Sequence, residues 1–291
     1  MREMASIKDL VEKAAGCGKR ISDIALEWEC RTMEKTPEEL RDKMRNRLSV
    51  MKQAVHDGLQ PGLKSASGLS GGDALKLKQA VDKKATFADP LLDKILVKAL
   101  AVSELNACMG RIVAAPTAGS CGIIPAVLLS AMEERGIPEE RIIMSLFTAG
   151  VIGKVIATQS GISGAEGGCQ AECGSASAMA AAALVEAMDG TPAMAANACA
   201  IVLKSTLGLV CDPIAGLVEV PCIKRNAMGA VYALAAAEMA LAGIESVIPA
   251  DEIIMAVKSV GKLMAPALKE TAEGGLAATP TGKRLANEIL S

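Results

Sequence analysis

Apolar residues recur at spacings of three and four along the first sixty positions. Segment 5–16 carries Ile7, Leu10, Val11 and Ala14, and segment 37–56 carries Leu40, Met44, Leu48, Met51 and Val55. Each set forms one stripe of an amphipathic helix, so both segments are predicted as surface helices resting on a core. From about residue 95 the pattern changes. ASAMAAAALVEAMDG and AMGAVYALAAAEMALAG are apolar on most sides and are expected inside, covered by other helices. They are Ala-rich, short or interrupted by Glu186 and Glu238, which suits buried core helices better than membrane spans.

Helix starts are clearly marked. Thr36, Pro37 and Glu39 form a capping box with proline at the first helical position, and Asp89-Pro90, Pro138-Glu139 and Thr191-Pro192 repeat the proline-start theme. Alternating β-branched runs are few. The expectation is an all-α protein: a single compact multi-helix domain over residues 1–291 with buried Ala/Gly-rich central helices. Residues 1–60 would form a peripheral helical layer, and residues 61–291 a core that binds cofactor and substrate. Three glycine-rich loops interrupt the helices: SASGLSGGD (65–73), PTAGSCG (116–122) and SGISGAEGGCQAECG (160–174).

Composition removes several function classes. Lys plus Arg number 31 against 33 for Asp plus Glu, a formal charge of −2 with no long run of either sign, so no nucleic-acid or anionic-lipid partner is expected. One Trp, one Tyr and two Phe leave no platform for stacking bases. MREMASIKDLVEK has no apolar stretch before a cleavage site, so the chain is read as free of a signal peptide, soluble and cytoplasmic, with no membrane partner. Nine cysteines in such a compartment argue for thiol chemistry or metal binding over disulfides. The single histidine, His56, ends a predicted surface helix, so a histidine base would have to come from another chain.

Glycine beside Ser or Thr ahead of a helix leaves backbone N–H groups pointing outward, where the helix dipole favours an anion. Thr117 and Ser120, with the amides around Gly119 and Gly122, could hold a carboxylate, and Ser67, Ser70 and the amides near Gly68 offer a similar place. No Gly-Lys-Ser/Thr follows either loop and no strand precedes one, so a small anion is favoured over a nucleotide. Cys169 and Cys173 lie four apart, and Cys211 and Cys222 lie in Gly/Pro-containing turns, so two or three of these thiols could meet as soft ligands of an iron-sulfur cluster. Cys17, Cys30, Cys108 and Cys199 read as packing residues on helices. Zinc lacks its usual Cys-x-x-Cys pairs and nearby histidines.

The sequence resembles the α chain of the two-subunit, iron-sulfur-dependent L-serine dehydratases. The resemblance is carried by SGLSGGDALKL, SELNACMGRIVAAPTAGSCGIIPAVL, SGAEGGCQAECGSASAMAAAALVEA and LGLVCDPIAGLVEVPCIKRNAMGAVYA. It implies a 4Fe-4S cluster on Cys169, Cys211 and Cys222, with one iron lacking a protein thiolate and therefore free to act as a Lewis acid. It also implies conversion of L-serine to pyruvate and ammonia: the substrate hydroxyl leaves from the open iron while a base removes the Cα proton. On this reading Thr117, Gly119, Ser120 and Gly122 receive the substrate carboxylate, and Ser67 and Gly68 line the other side. Lys204 and Arg111 are possible charge partners, while Cys121 and Cys173 flank the site without matching a ligand position. Single-chain relatives carry a Ser-Ser-Ser-His type motif and a proton-transfer histidine in an N-terminal domain. This chain has neither, so it is expected to need a separate β subunit in a hetero-oligomer, which would supply the unidentified general base. Two other readings are an L-cysteine desulfidase using a similar cluster and a non-catalytic iron-sulfur carrier or sensor.

Overall fold

The computed structural model describes residues 5–290, so the ends of the expected domain, residues 1–4 and 291, lie outside the described residues. Thirteen helices run through the described residues: α1 (Ile7–Gly16), α2 (Ile21–Met33), α3 (Pro37–Gly58), α4 (Asp73–Asp82), α5 (Pro90–Ala107), α6 (Ile123–Arg135) and α7 (Glu139–Gln159) come first. They are followed by α8 (Gly164–Gly167), α9 (Cys169–Ala187), α10 (Pro192–Ser205), α11 (Cys222–Leu241), α12 (Ala250–Leu263) and α13 (Pro280–Leu290). No strand forms among the described residues, and a single parallel bridge joins Cys211 to Lys269. The fold is all-α, as the periodicity predicts.

The predicted helix starts are made by side chains that satisfy otherwise unpaired amides. Thr36 Oγ1 accepts from Glu39 N at 3.2 Å while Thr36 N donates to Glu39 Oε2 at 2.8 Å. Asp89 accepts from Leu92 N at 2.9 Å, and Thr191 from Met194 N at 3.2 Å. The start of α7 differs, because Pro138 precedes the helix and offers no side-chain cap.

α9 is the axis of the molecule. Every residue of it except Glu172 is buried, and it is wrapped by α6, α7, α10 and α11. Its run of alanines makes this close packing possible. A Cβ on Gly229 of α11 would come within 2.7 Å of Ser177 Oγ on α9, so glycine is what lets those two helices touch. α5 packs on α3, α6 and α11, and α12 packs on α10. The N-terminal helices join this core: Ile7, Leu10, Ile21, Ile24 and Leu48 are fully covered, with α2 lying against α7 and α1 against α10.

The longest apolar helix is α7, whose start the sequence marks at Pro138-Glu139. By length and composition it could cross a membrane, and 67% of its most apolar window is buried inside the protein. It packs against α2, α3 and α9. An interior helix of this kind carries the same hydropathy as a membrane span because it too has no polar face to show.

Candidate functional site

Four elements converge at the N-terminal end of α9. Cys169 opens that helix after Gly168, which takes a left-handed φ of 78°. Cys222 opens α11, and Cys211 sits on the segment between α10 and α11, tied to the chain near residue 269 by Cys211 N to Leu268 O at 2.9 Å and Glu270 N to Cys211 O at 2.6 Å. All three thiols are buried, as is Cys173 one turn along α9. Gly164 of α8 closes the fourth side, where a Cβ would stand 3.0 Å from Cys211 Sγ.

These thiols act on one another electrically. The Cys173 thiol donates to Cys169, which holds Cys169 below the ordinary thiol range, with Arg225 adding to the effect against burial. Cys222 is pushed up to about 12, by burial first and then by the charges of Cys169 and Glu172. Cys211 is pushed up for the same reasons, by burial and then by Cys169, Glu270 and Cys222. Sequence positions from 169 to 222 are thus brought into one buried group whose members resist ionising together. Such a donor set suits a soft, positively charged metal centre, which removes the penalty by binding the thiolates.

Among the described residues no three His, Cys, Asp or Glu side chains close on a single point as the ligands of one ion must. A cluster spreads its thiolates over separate irons and asks for a wider arrangement.

The first turn of α11 fastens the site. Asn226 Oδ1 accepts from Gly122 N at 3.0 Å, and its Nδ2 donates to Gly119 O at 2.7 Å and Cys222 O at 2.9 Å. Arg225 Nη1 donates to Val210 O at 2.8 Å and pairs with Asp212 at 2.9 Å, holding the segment around Cys211. Gln170 anchors the start of α9 by donating to Val257 O at 3.0 Å and accepting from Gly208 N at 2.8 Å.

The family model for the serine dehydratase alpha chain matches residues 17–277. The chain is 51% identical over 284 residues to the probable L-serine dehydratase alpha chain of Bacillus subtilis, covering 98% of this chain and 94% of that one. It is 42% identical over 283 residues to the L-serine dehydratase alpha chain of Peptoniphilus asaccharolyticus, covering 97% of each. The chain belongs to the serine dehydratase alpha chain family. Against the longer L-serine dehydratase 2 of Escherichia coli it is 39% identical over 286 residues, which is 94% of this chain and 61% of that protein.

Within this serine dehydratase alpha chain, the two glycine-rich loops differ from the expectation that their donors wait for an external anion. Ser67 Oγ donates to the Glu219 carboxylate at 2.9 and 3.0 Å, Ser65 Oγ donates to it at 2.7 Å, and Ser70 Oγ joins them. The start of α4 is taken by Glu104, which accepts from Asp73 N at 2.9 Å and Ala74 N at 3.1 Å. Ser67 is therefore spent on an internal carboxylate, and Gly68, at a left-handed φ of 75°, shapes the turn. In the second loop Thr117 Oγ1 donates to Glu172 Oε1 at 2.5 Å and lies 2.9 Å from Ser120 Oγ, while the Gly122 amide is given to Asn226. Gly119 is there for space, since a Cβ would meet Glu172 Oε1 at 2.6 Å.

The remaining candidates separate cleanly. Lys204 Nζ donates to Ser246 O at 2.5 Å, which gives it a structural role, and Arg111 is exposed. Cys121 is buried, its thiol points at Val102 O at 3.9 Å, and burial raises it to about 12, the behaviour of a packing residue. Cys199 is likewise buried in α10, whereas Cys17 is exposed and Cys30 and Cys108 are partly buried. His56 stands exposed at the end of α3, 3.1 Å from Asp57. Sequence reasoning overlooked Glu172, Glu219, Arg225 and Asn226, although each lies within three or four residues of a candidate cysteine; that adjacency was the available signal.

Proposed function

We propose that this chain is the α subunit of a lyase that converts L-serine to pyruvate and ammonia, using a 4Fe-4S cluster held by Cys169, Cys211 and Cys222. The observation that carries the reading is the gathering of these three buried cysteines at the end of α9 beside the Thr117–Gly122 loop. Bound there, the cluster would supply a Lewis-acidic iron free of protein thiolate, which eases departure of the substrate hydroxyl.

The chain's own residues do the rest of the positioning. Asn226 fixes the substrate loop to the residue 222 end of α11, and Arg225 with Asp212 fixes the segment bearing Cys211. Burial of Cys169, Cys211 and Cys222 would keep bulk water from a cluster held there. Thr117 borders the substrate, with Gly119, Ser120 and Gly122 buried behind it, while Ser67 and Gly68 belong to the closed joint around Glu219. The single histidine is exposed on α3, paired with Asp57, so the base that takes the Cα proton comes from elsewhere.

A separate β chain completes the enzyme on this reading. Support comes from the relatives: the alpha chains of Bacillus subtilis and Peptoniphilus asaccharolyticus match this one nearly end to end, whereas the longer L-serine dehydratase 2 of Escherichia coli has over a third of its length outside the match. Residues 1–291 act as one domain in the cytoplasm, with no nucleic-acid or membrane partner.

The test is anaerobic co-purification with any β chain that a neighbouring gene encodes, followed by a pyruvate assay on L-serine, L-threonine and L-cysteine. Pyruvate from L-serine, lost on exposure to air and regained with iron and sulfide, is the expected result. Sulfide release from L-cysteine without turnover of L-serine would overturn it.

A further inference from the structure

Glu172 is the one residue of α9 that is not fully buried, and it stands between the substrate loop and the thiols. Its Oε1 accepts from Thr117 Oγ1 at 2.5 Å and lies where a Cβ on Gly119 would come within 2.6 Å. Its Oε2 accepts from no N–H or O–H group among the described residues. That oxygen faces Gly164, whose added Cβ would meet it at 3.6 Å and Cys211 Sγ at 3.0 Å. One carboxylate oxygen is pinned, and the other is free beside the cysteines. The charged neighbour that acts on it is Glu270, which deepens the negative potential. A partly desolvated carboxylate with no cation of its own is a receptor for a cationic donor.

The geometry points to Glu172 as the residue that receives the α-ammonium of the amino-acid substrate. The inference rests on the amino-acid lyase reading above. In a zwitterion the ammonium and carboxylate are carried on the same carbon, so they need an acceptor and donors side by side. Glu172 is that acceptor, held in place by Thr117 Oγ1, whose own proton is committed to it. Glu172 thereby sets specificity: a hydroxy acid without the ammonium brings a negative charge to the carboxylate with nothing to offset it.

The test uses the anaerobically loaded holoenzyme with its β chain. L-Serine KM and kcat are measured for wild type and for Glu172→Gln and Glu172→Asp, together with calorimetric binding of 3-hydroxypropanoate, which is serine without its amino group. Glu172→Gln should keep the cluster's visible absorption and raise the L-serine KM by about ten- to a hundredfold, the range expected for losing a charged hydrogen bond. Its kcat should fall less than that, and 3-hydroxypropanoate should bind as well as or better than it does to wild type. Glu172→Asp should recover part of the serine affinity. An unchanged KM overturns the inference. So does a fall in kcat with KM and 3-hydroxypropanoate affinity unchanged, which would mark Glu172 as a proton-transfer group. If the Gln variant does not load, the wild type decides: 3-hydroxypropanoate must bind at least about tenfold more weakly than L-serine, and equal binding overturns the inference. Wild-type holoenzyme that binds L-serine but forms no pyruvate sinks the functional reading alone, because the calorimetric comparison still judges Glu172.

Discussion

Loop 65–73 spends three serine hydroxyls on Glu219 and the start of α4 on Glu104, both carboxylates being buried. Loop 117–122 meets Glu172, and there one carboxylate oxygen is left without an internal donor. The glycines follow the same division. Gly68, Gly71 and Gly72 have left-handed φ values of 75°, 118° and 87°, so they are needed for backbone shape. Gly119 and Gly122 have no such conformation and are needed for room, against Glu172 and against Ala99 O and Ser103 Oγ. Two loops of similar composition therefore serve different ends. One is a closed structural joint, and the other borders the reactive centre.

The largest expected effect separates the reactive centre from the rest of the molecule. Cys169→Ser, Cys211→Ser or Cys222→Ser should each abolish the visible absorption of the reconstituted protein and its pyruvate production, while Cys30→Ser should leave both unchanged. Equal spectra for all four variants would remove the centre from this end of α9.

A second contrast places alanine in each loop. Gly119→Ala pushes Glu172 aside and should raise the L-serine KM roughly tenfold with little loss of stability, since a flexible carboxylate can yield. Gly68→Ala should instead cost about 1–2 kcal/mol in unfolding experiments, through its left-handed backbone, with KM unaffected. Interchanged outcomes would break the comparison.

The smaller effects concern the carboxylates. Glu219→Gln leaves three hydroxyls facing a weaker acceptor and should destabilise the protein by about 1–3 kcal/mol in denaturant melts. Glu172→Gln should do the opposite in the cluster-free chain. Burial raises the Glu172 carboxyl above its ordinary range, so its ionised form opposes folding at neutral pH. That cost is present above the raised folded pKa and fades as pH falls toward the unfolded value of 4.5. The Gln variant should therefore melt higher than wild type at pH 7, with the difference closing toward pH 4. A lower melting temperature at pH 7 would show that Glu172 is a structural joint like Glu219.

Much of the fold was legible because helix periodicity and caps are local. Ile7, Leu10 and Ala14 are buried as their spacing requires, and Thr36, Asp89 and Thr191 cap the helices they precede. α7, whose start Pro138-Glu139 marks, has the hydropathy of a membrane span as well as of a buried helix, and only the packing around it tells the two apart. The loops were read with the right chemistry and the wrong source of ligand. Hydroxyls next to glycine do hold a carboxylate, but Glu219 reaches Ser67 across 152 residues and Glu172 reaches Thr117 across 55. No local pattern reports a partner at that distance. The three cysteines entered through resemblance to a family, since spacing alone left Cys173 as good a candidate as Cys169.

Asn226 grips the carbonyl of residue 222, the carbonyl of residue 119 and the amide of residue 122 with one side chain. Order at either end is then shared with the other, and the sharing is reciprocal. An amino acid that stills the loop should tighten the hold on iron, and loading with iron should tighten the hold on the amino acid by the same factor.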